Sequence, residues 1–260
     1  MNAISEEVLL SETAERVRVL TLNRPKSRNA LSAELRKQLF AALKLAEADE
    51  GVDVVILTGA GPAFCAGLDL RELSTSVPDL SPQWPEMSKP VIGAVNGPAI
   101  TGGLEIALYC DILIASENAT FADTHARVGL LPMWGMSVRL PQAVGRGMAR
   151  RLSLSGEFLS AREALAAGLV TEVVPHRELL DAAKTLARSI VSANQSAVRR
   201  LVESYHEIDS ASDAQALAIE MQAGLQWLSA TDASAAIASN KDAVISNGSN
   251  TVGLRATNQA

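Results

Sequence analysis

The chain has 260 residues, 48% hydrophobic and 3% aromatic, with a formal net charge of −6. That is enough apolar material for one large domain or two small ones, with a core built from Ala, Leu, Val and Ile. The acidic balance argues against nucleic acid as main partner, and no run approaches the ~18 apolar residues of a membrane span.

Met1 to Leu10 contains Glu6 and Glu7 and lacks the apolar stretch of a secretion signal. Two cysteines, Cys65 and Cys110, do not make a disulfide scaffold. The expectation is a cytoplasmic protein with reduced thiols and no membrane partner. Arg16 to Leu22 alternates as a strand, with Val17, Val19 and Thr21 on one face. A polar loop, Asn23 to Ala30, follows. Ser32 is suited to cap a helix whose stripe is Leu31, Leu35, Leu39, Leu43 and Ala46, ending near Ala48. Asp53 to Thr58 is a strand of the buried type, broken by Gly59-Ala60-Gly61-Pro62. Leu73 to Lys89 holds Pro78, Pro82 and Pro85 and reads as an irregular loop. Strand Val91–Val95, a helix from about Gly103, and strand Ile112–Ala115 come next.

From Gly145 onward the pattern is mainly helical. Ser160-Ala161-Arg162-Glu163 is a capping box. Leu169 to Val174 reads as a short strand, and Pro175 opens a helix to about Ser192. Two more helices are expected at 196–208 and 212–229. Strand-helix alternation favours an α/β layered core. The expected division is an α/β core over 1–195, a helical region over 196–245 and a disordered tail over 246–260.

Two stretches carry chemistry. Phe64-Cys65-Ala66-Gly67-Leu68-Asp69-Leu70-Arg71 follows a strand after a turn. Asn96-Gly97-Pro98-Ala99-Ile100-Thr101-Gly102-Gly103-Leu104-Glu105 runs from a strand into a helix. A Gly pair lets backbone approach a ligand closely. The first N–H groups of a helix lack intrahelical partners and attract a negatively charged oxygen. Glu105 would lie in that first turn. A dinucleotide fingerprint fails, because Phe64 stands where Gly is needed. No Gly-x-Ser-x-Gly elbow and no His/Cys cluster with metal spacing occurs.

Together these stretches resemble the two signatures of the enoyl-CoA hydratase/isomerase (crotonase) family. Asn23-Arg24-Pro25-Lys26, Asn29-Ala30-Leu31-Ser32, the block Phe121 to Pro132, Gly145-Arg146, and Ser160 to Val170 are similar to it as well, so the resemblance covers about residues 8 to 205. It implies a crotonase-like fold of repeated strand-strand-helix turns, with a helical C-terminal trimerisation region and a homotrimer or hexamer. It implies an acyl-CoA thioester substrate, with no metal and no cofactor beyond the coenzyme A that the substrate carries. By resemblance, the Leu68 and Gly102 N–H groups hold the thioester oxygen as an enolate forms, and Glu105 is the acid/base. Lys26, Ser27, Arg28, Ala66 and Arg71 match positions that contact CoA or substrate.

One departure bears on the chemistry. Hydratases of this family use two glutamates, and the second falls here at His125. A neutral imidazole can accept or donate a proton near neutral pH. Three readings stay open: a Glu105–His125 pair that hydrates or isomerises an enoyl-CoA; another crotonase-type reaction such as C–C cleavage, decarboxylation or thioester hydrolysis; or acyl-CoA binding without turnover. Asp123 is expected to face away from His125 in an extended segment, and Asp69 to be structural. Trp84, Trp134, Met133 and Met136 either line an acyl pocket or simply pack.

Overall fold

The computed structural model describes residues 7–73 and 84–230. The expected tail at 246–260 and part of the proline-containing loop lie outside the described residues. The first elements are β1 (Leu9–Ala14), β2 (Val17–Leu22), α1 (Ala33–Ala48), β3 (Val54–Gly59), α2 (Leu70–Leu73) and β4 (Val91–Val95). Then come β5 (Ala99–Ile100), α3 (Gly102–Ala107), β6 (Ile112–Ser116), β7 (Thr120–Ala122) and α4 (His125–Val128). The last are α5 (Met136–Ser155), β8 (Leu159–Ser160), α6 (Ala161–Ala166), β9 (Glu172–Val174), α7 (Leu179–Val191) and α8 (Gln195–Ala230).

The main sheet has the order β1-β2-β3-β4-β6-β9, parallel except for the antiparallel β1–β2 pair at one edge. Parallel strands need crossovers, which cover both sheet faces, and their sequences are apolar throughout. Side-chain alternation shows how. Val54 and Ile56 of β3, with Ile92 and Ala94 of β4, pack with Leu179, Ala183 and Ala187 of α7. Val55, Leu57, Val91 and Val95 point the other way, into the main core with Leu35, Leu39 and Leu43 of α1.

A second sheet, β5-β7-β8, lies beside the first. It was not legible from periodicity, because strands of two or three residues carry no pattern. The Ser32 hydroxyl caps α1 by accepting from Leu35 N at 3.2 Å. The Ser160–Glu163 box closes as expected. The two helices expected at 196–208 and 212–229 are one helix, α8, of 36 residues. α5 starts nine residues before Gly145 and kinks there, where Gly145 has φ 76°.

Candidate active site

The site is built where the loop after β3 crosses the loop between β4 and α3. Leu31 and Leu68 form a parallel bridge, with Leu31 N donating to Gly67 O at 2.8 Å and Asp69 N donating to Leu31 O at 3.2 Å. That pairing uses the groups on either side of Leu68, so the Leu68 N–H points away from Leu31. Gly67 has φ +95°, a conformation that favours glycine, and turns the chain so that this N–H faces α3.

Opposite it stands Gly102, the first residue of α3, whose N–H has no intrahelical acceptor. A methyl group built on Gly102 would sit 3.5 Å from Leu68 N and 3.6 Å from the Trp134 ring. The two N–H groups therefore border one slot, and a side chain at 102 would fill it. Gly103 serves the packing beneath: a Cβ there would lie 2.1 Å from Cys65 O, closer than any contact permits.

Glu105 and His125 meet at this slot. Both are buried. Glu105 Oε1 accepts the Trp134 N–H at 2.9 Å, and Oε2 lies 3.8 Å from His125 Nε2. On the far edge of the ring, His125 Nδ1 is 2.7 Å from Asp123 Oδ1. The His125 N–H donates to the same oxygen at 3.2 Å. This corrects the expectation that Asp123 faces away. The segment is not extended there: β7 ends at Ala122 and α4 begins at His125, and the turn swings Asp123 back under the ring.

Burial alone would raise the Asp123 pKa. The His125 hydrogen bond and charge, with a hydrogen bond from Ser153, outweigh that and hold the carboxyl below its usual value. An ionised Asp123 is acceptor-only, so His125 Nδ1 carries the proton. Nε2, on the opposite edge of the ring, faces Glu105 Oε2. Asp123 and Glu105 face opposite edges of the ring and do not converge, and no metal-holding cluster occurs among the described residues.

A cavity of about 30 Å³ lies at this point, lined by Leu68, Glu105 and His125, by Leu130, Leu131, Met133 and Trp134, and by Leu228 of α8. It has space for one or two waters. Trp134 and Met133 are thus at the site. Met136 is in the core, and Trp84 stacks on Tyr109 at 5.0 Å, away from it. Cys65 lies beneath the Leu68 loop, and burial pushes its thiol up to about 12, which disfavours the thiolate a nucleophile needs.

The remaining candidates sit on the neighbouring loops. Lys26 and Ser27 lie in a 3-10 turn, Pro25–Ser27, followed by Arg28 with φ 50°. Ala66 N donates to Arg28 O at 3.0 Å, so this loop runs beside the segment that carries Leu68. Arg28 also lines a separate groove of about 1410 Å³ that holds neither Glu105 nor His125. Arg71 is exposed in α2. Asp69, expected to be structural, accepts from Arg24 through Oδ2 at 2.9 Å. Two groups meet the Glu105–His125 pair that the sequence did not place there. One is Asp123, whose spacing two residues before His125 was the available signal. The other is the Trp134 N–H, a backbone group that no side-chain pattern announces.

A family model described as enoyl-CoA hydratase/isomerase matches residues 12–239. The chain belongs to the enoyl-CoA hydratase/isomerase family. It is 66% identical to an enoyl-CoA hydratase of known crystal structure from Mycobacterium avium, with a TM-score of 0.83 over 86% of this chain and 98% of that one. An enoyl-CoA hydratase structure from Mycobacterium tuberculosis H37Rv is 65% identical, with the same TM-score, over 86% and 99%. Among curated relatives, a probable peroxisomal enoyl-CoA hydratase of Arabidopsis thaliana is 42% identical over 193 residues, 71% of this chain and 73% of that protein. The mixed α/β architecture with a helical C-terminal part is the crotonase fold, and the protein is an enzyme of enoyl-CoA hydratase-like function.

Proposed function

We propose that the protein adds water reversibly across the C2–C3 double bond of an enoyl-CoA thioester, with Asp123, His125 and Glu105 replacing a two-glutamate site. The observation that supports this most directly is the His125 ring between two carboxylates, Nδ1 at 2.7 Å from one and Nε2 at 3.8 Å from the other. His125 Nε2 takes a proton from water as the hydroxyl bonds to the β-carbon. The π pair moves towards the thioester, and the Leu68 and Gly102 N–H groups hold the enolate oxygen; each such donor is typically worth ~3 kcal/mol. The proposed cycle takes Glu105 in its acid form, and Glu105 gives that proton to the α-carbon. The proton on His125 then returns to Glu105, and the pair is reset with one water added. Asp123 touches no substrate: it fixes the ring and its tautomer.

On this reading Lys26, Ser27, Arg28 and Arg71 offset CoA phosphate charge, and Ala66 lines the thioester's path. No cofactor takes part. Leu201, Tyr205 and Ile208, exposed at helical spacing on α8, support assembly into a trimer or a hexamer of two trimers; a monomer in sedimentation would overturn that. The free Cys65 and Cys110 support a cytoplasmic location, which fractionation of the source cells would test.

The deciding experiment is hydration of a short enoyl-CoA panel that includes crotonyl-CoA. Wild type is expected to turn over, and Glu105→Gln to lose about 10²–10⁴ of the rate, the usual share of general acid–base catalysis. An inert wild type beside an active His125→Glu variant would overturn the proposal and leave another crotonase-type reaction for the native site.

A further inference from the structure

Thr101 precedes the Gly102 donor and has φ 54° and ψ −115°, outside the regions a β-branched residue ordinarily occupies. Its backbone is held on both sides. Thr101 N donates to Ala122 O at 2.8 Å, and Thr101 O accepts Glu105 N at 2.9 Å. In a trans peptide the C=O and the next N–H point opposite ways. With the Thr101 carbonyl turned into the first turn of α3, the Gly102 N–H is turned out of it, towards the slot shared with Leu68.

The side chain closes the arrangement. Thr101 Oγ1 lies 2.6 Å from Thr124 Oγ1 and accepts the Thr124 N–H at 3.3 Å. Thr124 is buried and immediately precedes His125. One hydroxyl pair therefore joins the peptide bearing an oxyanion donor to the turn bearing the imidazole.

We propose that Thr101 is a positioning residue, whose hydroxyl, bonded to Thr124, holds the Thr101–Gly102 peptide in its strained conformation and sets the Gly102 N–H and the His125 ring in register. This rests on the proposed acyl-CoA chemistry and deepens it. Strain of this kind persists only where surrounding contacts over-determine it, and it gathers at functional sites. A glycine would adopt the same backbone freely but would leave the donor untethered.

The test uses Thr101→Val, which keeps the branched shape without the hydroxyl, Thr101→Ser, which keeps the hydroxyl, and Thr124→Val. Two readouts are taken: kcat and KM with crotonyl-CoA, and the pH at which bound acetoacetyl-CoA ionises to its near-ultraviolet-absorbing enolate. The second reports the oxyanion hole without turnover. Thr101→Val and Thr124→Val are each expected to lower kcat about 10–100-fold, the scale of a small misplacement of a reacting group. KM should move less than about threefold, the bound enolate should form at higher pH, and the double variant should be no worse than either single one. Thr101→Ser should recover most of kcat. Should Thr101→Val not fold, Thr101→Gly replaces it, with the same expected enolate shift. Wild-type kcat and enolate titration in the hydroxyl-free variants would overturn the inference, as would a Thr101→Ser variant as impaired as Thr101→Val. A wild type that enolises acetoacetyl-CoA independently of Thr101 sinks this inference alone. A wild type that binds no CoA thioester sinks the proposed function and this inference with it.

Discussion

Replacing Asp123 with Asn keeps the size of the side chain and removes its charge. The 2.7 Å contact to His125 Nδ1 is buried on both sides, and hydrogen bonds to charged groups are worth about 1.5–3 kcal/mol. In the proposed cycle this bond strengthens as His125 takes the water proton, so most of that energy is realised in the transition state. At 1.36 kcal/mol per decade, kcat should fall about 10–150-fold, with KM little changed. If the amide instead turns its NH2 towards Nδ1, the proton moves to Nε2 and the base is lost altogether, so both arrangements give the same sign. The assay is loss of enoyl thioester absorbance on hydration. The pH dependence of stability gives an independent check. The folded Asp123 pKa is held below its usual value, so its contribution is present above the unfolded carboxyl pKa of about 3.9 and is lost as pH falls through the folded value. Wild type should therefore lose stability in acid more steeply than Asp123→Asn. A variant with kcat within about twofold of wild type, alongside an inactive His125→Ala, would refute the anchoring role.

Gly103→Ala places a Cβ 2.1 Å from the Cys65 carbonyl, and neither partner is a flexible side chain. The expected cost is about 3 kcal/mol or more, read as a fall of about 6–12 °C in Tm; an unchanged Tm would mean that α3 shifts at no cost. On α8, the hydrogen bond to Asp111 raises the His206 pKa against partial burial, with Asp209 assisting and Arg139 opposing. Its contribution is thus complete below about pH 6.5 and is lost as pH rises through the higher folded value. Hydrogen exchange in α8 should speed up from pH 6.5 to 8 beyond the intrinsic rate in wild type, and His206→Gln should lack that excess. An equal excess in both would exclude this ion pair as the cause.

The local elements were written into the residues themselves. The continuous apolar runs at β3 and β4, short and bounded by turn or polar residues, fit strands covered on both faces. Ser32 and the Ser160–Glu163 pair mark helix starts because their oxygens satisfy N–H groups that every helix leaves open. Phe64–Arg71 and Asn96–Glu105, with their glycines, Asp69 and Glu105, resemble the family's signatures as a set, and that resemblance marks Leu68, Gly102 and Glu105. What the chain order could not supply was distance across the fold. The antiparallel edge at β1 and the small β5-β7-β8 sheet exist only through their partners. The direction of Asp123 depends on a turn whose Thr124 N–H donates to Thr101, a residue 22 positions before Asp123, and local sequence does not show that contact. The Trp134 N–H that meets Glu105 is a backbone group, identical in every residue but proline, and only folding brings it to the acid. Residue types and spacing determined which groups were available for chemistry. Tertiary structure decided which edge of the imidazole faces which carboxylate, because hydrogen bonding depends on separation and angle in space and not on separation along the chain.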